Sequence, residues 1–491
     1  MEEYEEEDEL QLLEVHEIFH RLAPRLGTHS DPLYLILGGG YNYDSSSGEE
    51  NTEENEPLDL DSSKVEGENT QISSSKFQKK IDKKYFNVCQ EVKRRETGIN
   101  RKGHPSPGLT EPEKANLFSR YLPNSVKQIV RHGAKVFCGN FSQDGSVFMS
   151  ASQDCHIKLY DTTGVYLKEF QDVVALNVGW SIIDTAYSHD QRHLIYSSWS
   201  SNLYLCDIAG EAGKSQIALD MRPSTHSFCA FSIKFSQDDN EILTGSNDGC
   251  LYIYDRSKAK RTLRIIGHDD DVNSVCFCDN TSQLLFSVSD DGLCKAWDRR
   301  ALNESHPRAV GMFAGHACGI ACVDTKGDGR YLLTSSKDQT IKLWDMRKFS
   351  NEESVKACRR MVEKHQNWDY RWEDMPRKFK KNYKIEGDVS VMTYRGHSLL
   401  RCLSRAHFSP LETTGQRYIY TGSANGCIYI YDLHTGDIEQ IISGHNNIVR
   451  DVSWHPTKPY IISSSWDSTV KCWHYSRSTR EKNMTNKKLK R

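Results

Sequence analysis

Five times along this chain a histidine is followed, at a nearly constant interval, by a tryptophan or tyrosine. The interval is 28 residues from His132 to Tyr160, His226 to Tyr254, His316 to Trp344 and His445 to Trp473, and 29 from His268 to Trp297. In four of the five the aromatic stands directly before aspartate. The stretch Gly315 to Arg347 shows what lies between: a Gly-Asp-Gly turn at Gly327 to Gly329, a Ser-Lys-Asp turn ending at Asp338, and a closing Trp344-Asp345. The spacing predicts three short strands, at Ile320 to Val323, Tyr331 to Ser335 and Thr340 to Trp344. The alternation in Ile341-Lys342-Leu343-Trp344 predicts a strand with one buried face. One such unit cannot bury its own apolar surface, so repetition is the physical answer.

Two further units complete the set. One runs from His397 to Tyr431 and is lengthened by Pro410 to Gln416. The other, between Val178 and Cys206-Asp207, lacks both the opening histidine and the aromatic. A fourth strand follows each unit except the last, at Tyr166 to Phe170, Gln216 to Leu219, Thr262 to Ile266, Val310 to Phe313, Val389 to Tyr394 and Ile438 to Ile442. The run Val126 to Val130, ahead of the first unit, has the right alternation to supply the missing strand. This is the pattern of WD repeats. It predicts an all-β, seven-bladed WD-repeat β-propeller over 125–475, closed by a strand from each end.

Outside the repeats, 1–124 reads as an extension with three parts. An acidic start leads into an amphipathic helix over Leu10 to Leu22. Tyr41 to Ser75 is too poor in apolar residues to repay the entropy of ordering. A basic segment from Lys76 to Pro123 carries two short helices. The triplet Gly38-Gly39-Gly40 lacks the lysine and hydroxyl of a phosphate-cradling loop. A basic tail over 476–491 ends in Lys487-Lys488-Leu489-Lys490-Arg491 and reads as an import signal or a solvated end.

With 63 basic and 67 acidic residues the net charge is -4, which selects neither nucleic acid nor membrane. No apolar run approaches the roughly 20 residues that span a bilayer. The 15 cysteines sit mostly in strand-like runs and form no Cys-x-x-Cys pair, so no zinc site, no other metal and no cofactor is expected. A reducing compartment follows from the absence of a secretory segment.

Each regular unit holds histidine, a hydroxyl and aspartate, which invites a hydrolase reading. The sets are His268, Ser287, Asp291 with Trp297; His316, Thr334, Asp338 with Trp344; and His445, Ser463, Asp467 with Trp473. A triad needs one exposed nucleophile beside a base. The same set at the same register in several blades reads instead as a buried hydrogen-bonded tetrad, and no catalytic residue is assigned.

Two residues depart from the shared pattern. Trp297-Asp298-Arg299-Arg300 and Trp344-Asp345-Met346-Arg347 both read Trp-Asp-x-Arg, in consecutive units. Guanidinium at a strand end suits contacts to carboxylates or backbone carbonyls of a partner. These boxes resemble those of the WD-repeat substrate receptors of the cullin-4 RING ubiquitin ligases, the adaptor- and cullin-associated factors. The resemblance implies that Arg300 and Arg347 contact the large adaptor, the damage-specific DNA-binding protein, and that Asp298 and Asp345 hold the turn. It also implies that a helix from the 76–122 segment inserts into that adaptor. The function it implies is a non-catalytic receptor that brings a protein substrate to the ligase core, in nucleus and cytoplasm.

A third match, Trp368-Asp369-Tyr370-Arg371, has no histidine 28 residues before it and reads as a decoy within an insert over 348–387. Trp368, Tyr370, Arg371 and Trp372, among many basic residues, suit single-stranded nucleic acid or, in the absence of any surrounding nucleic-acid module, a site for an acidic peptide of a substrate. The alternative function is a general WD-repeat scaffold or RNA-associated propeller without ligase linkage.

Overall fold

The computed structural model describes residues 121–208, 215–222, 228–365, 368–374, 376 and 385–476. The helices expected at 10–22 and 76–122, His226 and the tail beyond 476 lie outside the described residues. Within them stand seven four-stranded antiparallel sheets, each taken in sequence order from inner to outer strand: a seven-bladed β-propeller. The blades span 136–174, 184–220, 230–266, 272–314, 320–394, 406–443 and 449–474. The last receives its outer strand from Ser125–Arg131, which pairs antiparallel with Thr469–His474. The ring is thus closed by pairing its two ends.

Strand boundaries follow the repeat, with informative differences. In the fifth blade the strands are Ile320–Thr325, Tyr331–Ser336 and Thr340–Asp345. Thr340–Asp345 is buried along its whole length rather than on alternate residues. Each inner sheet packs against a neighbouring blade on both faces, so the polar member of the alternation is buried too. Lys342 survives there because its ammonium reaches Asp388, Ser390 and Thr393. The outer strand of the first blade runs Lys168–Val174 rather than Tyr166 to Phe170, because its partner starts at His156 and the ladder must reach Val174 to pair it. Tyr166 is left on an exposed turn.

The tetrads lock the blades. Trp297 Nε1 donates to Ser287 Oγ at 2.8 Å, Ser287 Oγ meets His268 Nε2 at 2.7 Å, and His268 Nδ1 meets Asp291 at 2.8 Å. In the next blade Trp344 to Thr334 and Thr334 to His316 are both 2.7 Å, and His316 to Asp338 is 3.1 Å. In the last, Trp473 to Ser463 and Ser463 to His445 are 2.7 Å, and His445 to Asp467 is 2.8 Å. Ser287, Thr334 and Ser463 are wholly buried and spent on an indole and an imidazole, so no substrate reaches them. Burial works to raise the Asp338 carboxyl, yet its bonds to His316 and Thr340 outweigh it and hold it below the carboxylate range.

The unit without histidine solves the same problem differently. Tyr196 stands where other blades carry the hydroxyl, and its ring stacks on Tyr204 at 5.3 Å. Its phenol oxygen donates to Gln216 at 2.7 Å and accepts the Leu176 N–H at 2.7 Å, while Asn177 donates to Tyr204 at 2.8 Å.

Two predictions follow from these locks. Trp344→Phe keeps an aromatic ring but removes the donor to Thr334, and is expected to lower unfolding free energy by about 1–3 kcal/mol in chemical denaturation. Burial above all, with Lys158 beside the first, holds His132 and the buried His397 down at about 4. The unfolded chain, with histidines near 6.5, therefore binds more protons between those values. Stability is full above about pH 6.5 and falls as pH drops towards 4, by up to about 2 kcal/mol per histidine at pH 5. Urea midpoints that coincide at neutral pH and pH 5 would contradict this.

Candidate functional site

Strand direction divides the propeller into two faces. The turns between second and third strands, and the loops that carry the tetrad histidines, share one face, here the tetrad face. The ends of the third strands, and so Asp298 and Asp345, open on the other, the arginine face.

At each of these ends the aspartate makes the same turn. Its Oδ1 accepts the backbone N–H two residues on: 3.0 Å from Arg300, 3.1 Å from Arg347, and 2.8 Å from both Thr163 and His434 in two other blades. This is an Asx turn, and it demands aspartate but nothing in particular at the second residue after it. In the fourth and fifth blades that free position is arginine. Each guanidinium folds back on its own aspartate in a two-pronged bond, 3.0 and 2.8 Å for Arg300 on Asp298, 2.9 and 2.7 Å for Arg347 on Asp345. The side chains remain 70% and 62% exposed. The hydrogen bond from Arg347 draws the Asp345 carboxyl down to about 2, and the bond from Arg300 lowers the Asp298 carboxyl below its ordinary value. The geometry fixes two outward cations on neighbouring blades, with the remaining N–H groups directed to no acceptor among the described residues.

The residue between aspartate and arginine does the opposite. Arg299 reaches back to Glu241 of the third blade, and Met346 is buried with its sulfur 3.6 Å from Cys278. The motif thus splits into an inward tie and an outward arginine, a division the sequence pattern does not reveal.

The chain also joins the propeller on this face. Ser125 pairs with His474 at the arginine-face end of the closing ladder, and Asn124 exchanges hydrogen bonds with Ser476. Leu122 is buried with Tyr418, Trp454 and Trp473.

The insert leaves from the arginine face and ends on the tetrad face. Ser350 pairs with the outer strand of the fourth blade through Met312. A helix, Glu352–His365, follows on the tetrad face, where Cys358 Sγ donates to the carbonyls of Gly292 and His316. Its sequence signals were present: Asn351 accepts the Ser354 N–H at 2.8 Å as N-cap, Glu352 and Glu353 open the first turn, and Lys364 and His365 close the last. Beyond it, Tyr370 lies under the Lys337 ammonium at 4.5 Å, and its carbonyl accepts the Arg401 N–H at 2.9 Å. Lys337 also pairs with Asp290 at 2.6 Å, so Tyr370 seals a junction of blades 4, 5 and 6. Arg371 is folded onto Asp369 as in the other two boxes, but on the tetrad face, which separates it from Arg300 and Arg347. Trp368 donates to the Asp374 carbonyl at 3.0 Å, whereas Trp372 is exposed.

The fold and the paired boxes define a WD-repeat propeller protein. The model of the WD domain, G-beta repeat, matches residues 123–161, 221–255, 258–298, 307–345, 388–432 and 436–474, which omits only the blade with the tyrosine pair. A LEC14B protein from Lithospermum erythrorhizon is 39% identical over 392 residues, covering 78% of this chain and 80% of that one. Two DDB1- and CUL4-associated factor 11 homologs are similar: that of Caenorhabditis elegans at 40% over 370 residues, 73% of this chain and 64% of its own length, and that of Caenorhabditis briggsae at 37% over 380 residues, 75% and 68%. The chain belongs to this family, which joins LEC14B with the DDB1- and CUL4-associated factor 11 homologs.

If Arg300 and Arg347 are outward and Arg299 is a tie, their removal differs in effect. Arg300→Ala and Arg347→Ala, alone or together, are expected to leave the thermal midpoint unchanged, since exposed pairs contribute little. Arg299→Ala is expected to lower it, by freeing Glu241 between blades.

Proposed function

We propose that the chain is the substrate-recognition subunit of a cullin-4 RING E3 ubiquitin ligase, bridging the damage-binding adaptor to a protein substrate for ubiquitylation. The observation that carries this reading is the pair of exposed, pre-oriented guanidinium groups of Arg300 and Arg347 on adjacent blades of one face. The names of the relatives at 37% and 40% identity support it. In this reading the division is an extension over 1–124 that contributes to adaptor docking, a propeller over 125–475 and a tail over 476–491. The chain enters the propeller through Asn124 and Ser125 on the arginine face, which in this reading lets extension and arginines address one partner. In this reading the role is non-catalytic, in keeping with the burial of the Ser287, Thr334 and Ser463 hydroxyls inside the blades. The substrate meets the opposite face and the insert, where Trp372 is exposed; no contact with a membrane is involved, and nucleus and cytoplasm are the expected compartments.

Affinity purification from cells tests this. The wild-type chain should bring down the adaptor and cullin-4, and the Arg300→Ala/Arg347→Ala variant should lose most of both, while Arg371→Ala retains them. Absence of the adaptor with wild type would sink the receptor reading. Undiminished recovery with the double variant would sink the assignment of the site.

A further inference from the structure

The inner strands of the seven blades surround the central channel of the propeller, and three charged side chains meet there. Arg405, just ahead of the sixth blade's inner strand Ala406–Phe408, donates from Nη2 to Asp184 at 2.7 Å and from Nη1 to Asp451 at 3.2 Å. Asp184 opens the inner strand of the second blade and Asp451 lies on that of the seventh, so one guanidinium reaches past the seventh and first blades to the second. The two carboxylates carry the bonding further. Asp184 accepts the Ile233 N–H of the third blade at 2.8 Å, and Asp451 accepts the Gly139 N–H of the first at 3.2 Å. Three side chains thereby join the sixth, seventh, first, second and third blades.

The group is sealed from water. Side-chain exposure is 14% for Arg405, 2% for Asp184 and 0% for Asp451. Burial works to raise the Asp184 carboxyl, yet Arg405 first and Lys234 next outweigh it and hold it below the carboxylate range. Thr421 fixes the base of the arginine, its hydroxyl donating to the Arg405 carbonyl at 2.9 Å. Separating the three would leave buried charge uncompensated, which is costly.

The outer closure is built more lightly. No residue of Ser125–Arg131 is fully buried. Gln128 ties this strand to the first blade, exchanging bonds of 2.9 and 2.7 Å with the Leu167 carbonyl and N–H. The last and first blades keep a further tie that does not involve the strand, from the Lys458 ammonium to the Thr162 carbonyl at 2.6 Å. A strand with so few buried contacts belongs to the low end of local stability.

We propose that Arg405, Asp184 and Asp451 form an inner clasp that holds the ring closed independently of the outer strand, so that Ser125–Arg131 opens from its ladder while the seven blades stay assembled. The chain ahead of residue 121 reaches the propeller through Leu122 and this strand. A load on that chain is therefore taken up at the outer rim, and the arginine face and tetrad face keep their places. The inference does not rest on the receptor reading.

Hydrogen exchange of the full chain, followed by mass spectrometry across sub-denaturing urea, tests this. In the wild type, amides of the closing ladder at 125–131 are expected to exchange about tenfold or more faster than those of Val136–Phe141 and Val449–Trp454, and with little dependence on urea. Gln128→Ala should widen that gap by speeding the ladder alone. Arg405→Lys keeps a cation but loses the fork that spans both carboxylates, and should narrow it. Arg405→Met/Asp184→Asn/Asp451→Asn discards the charges without stranding a carboxylate, and should close it. Once the clasp is gone, opening of the ladder uncovers the core that the first and last blades share, with Phe148, Tyr160, Tyr460 and Ile462, so ladder and end blades open together on one urea slope. The proposal is overturned if the wild-type ladder and inner strands already exchange together, or if the folded triple variant keeps the wild-type gap. Should the triple variant fail to fold, an unchanged gap in Arg405→Lys overturns it equally.

Discussion

The structure depends on one strand pairing. Ser125–Arg131 joins Thr469–His474 and turns a row of sheets into a ring. The hydrogen bond from the Ser125 hydroxyl to the His474 carbonyl spans 349 residues of sequence, so closing the ring carries the entropy cost of a very long loop. Each tetrad, by comparison, joins parts of one blade. The first and last blades also meet directly, through the Gly139 N–H on Asp451 and the Lys458 ammonium on the Thr162 carbonyl. Without closure of the ring the outer faces of those two blades would have no partner, and the rings of Trp466, Phe137 and Trp180 would not share a surface.

The two faces show how one repeat can serve fold and function with the same residue types. On the tetrad face histidine, hydroxyl and aspartate are buried together, and their polarity is consumed in stabilising the blade. On the arginine face aspartate again serves the fold in four blades, making the turn after the third strand, but the turn leaves its second following residue unconstrained. Threonine, histidine or arginine serves the fold equally there. Function can therefore occupy that position at no structural cost, and in the fourth and fifth blades the occupant is arginine.

Much of this is legible from spacing, because the interval between histidine and aromatic is a physical length: out through one strand, back through the next and out again. The blade that abandons histidine is legible only as a gap, since stacking of Tyr196 on Tyr204 leaves no fixed interval. The full burial of Thr340–Asp345 is hidden for a related reason. Alternation reports one covered face, and the second face is covered by a blade tens of residues away in sequence. The helix Glu352–His365 was open to reading from its cap and terminal charges, yet a search for strands passes over it. Trp368 to Arg371 shows the limit of a short motif, for it reproduces the local turn and guanidinium pairing of the other boxes and differs from them only in the face it occupies.

The closing ladder also determines how the ring responds to force. Ser125 pairs with His474 and Arg131 with Thr469, so the two chain ends leave the ladder at the same end. Tension applied between residues 121 and 476 therefore loads the hydrogen bonds one after another, as in a zipper, rather than all at once in shear. The seventh blade is where the ring opens under pull, and resistance grows only once that sheet has peeled away.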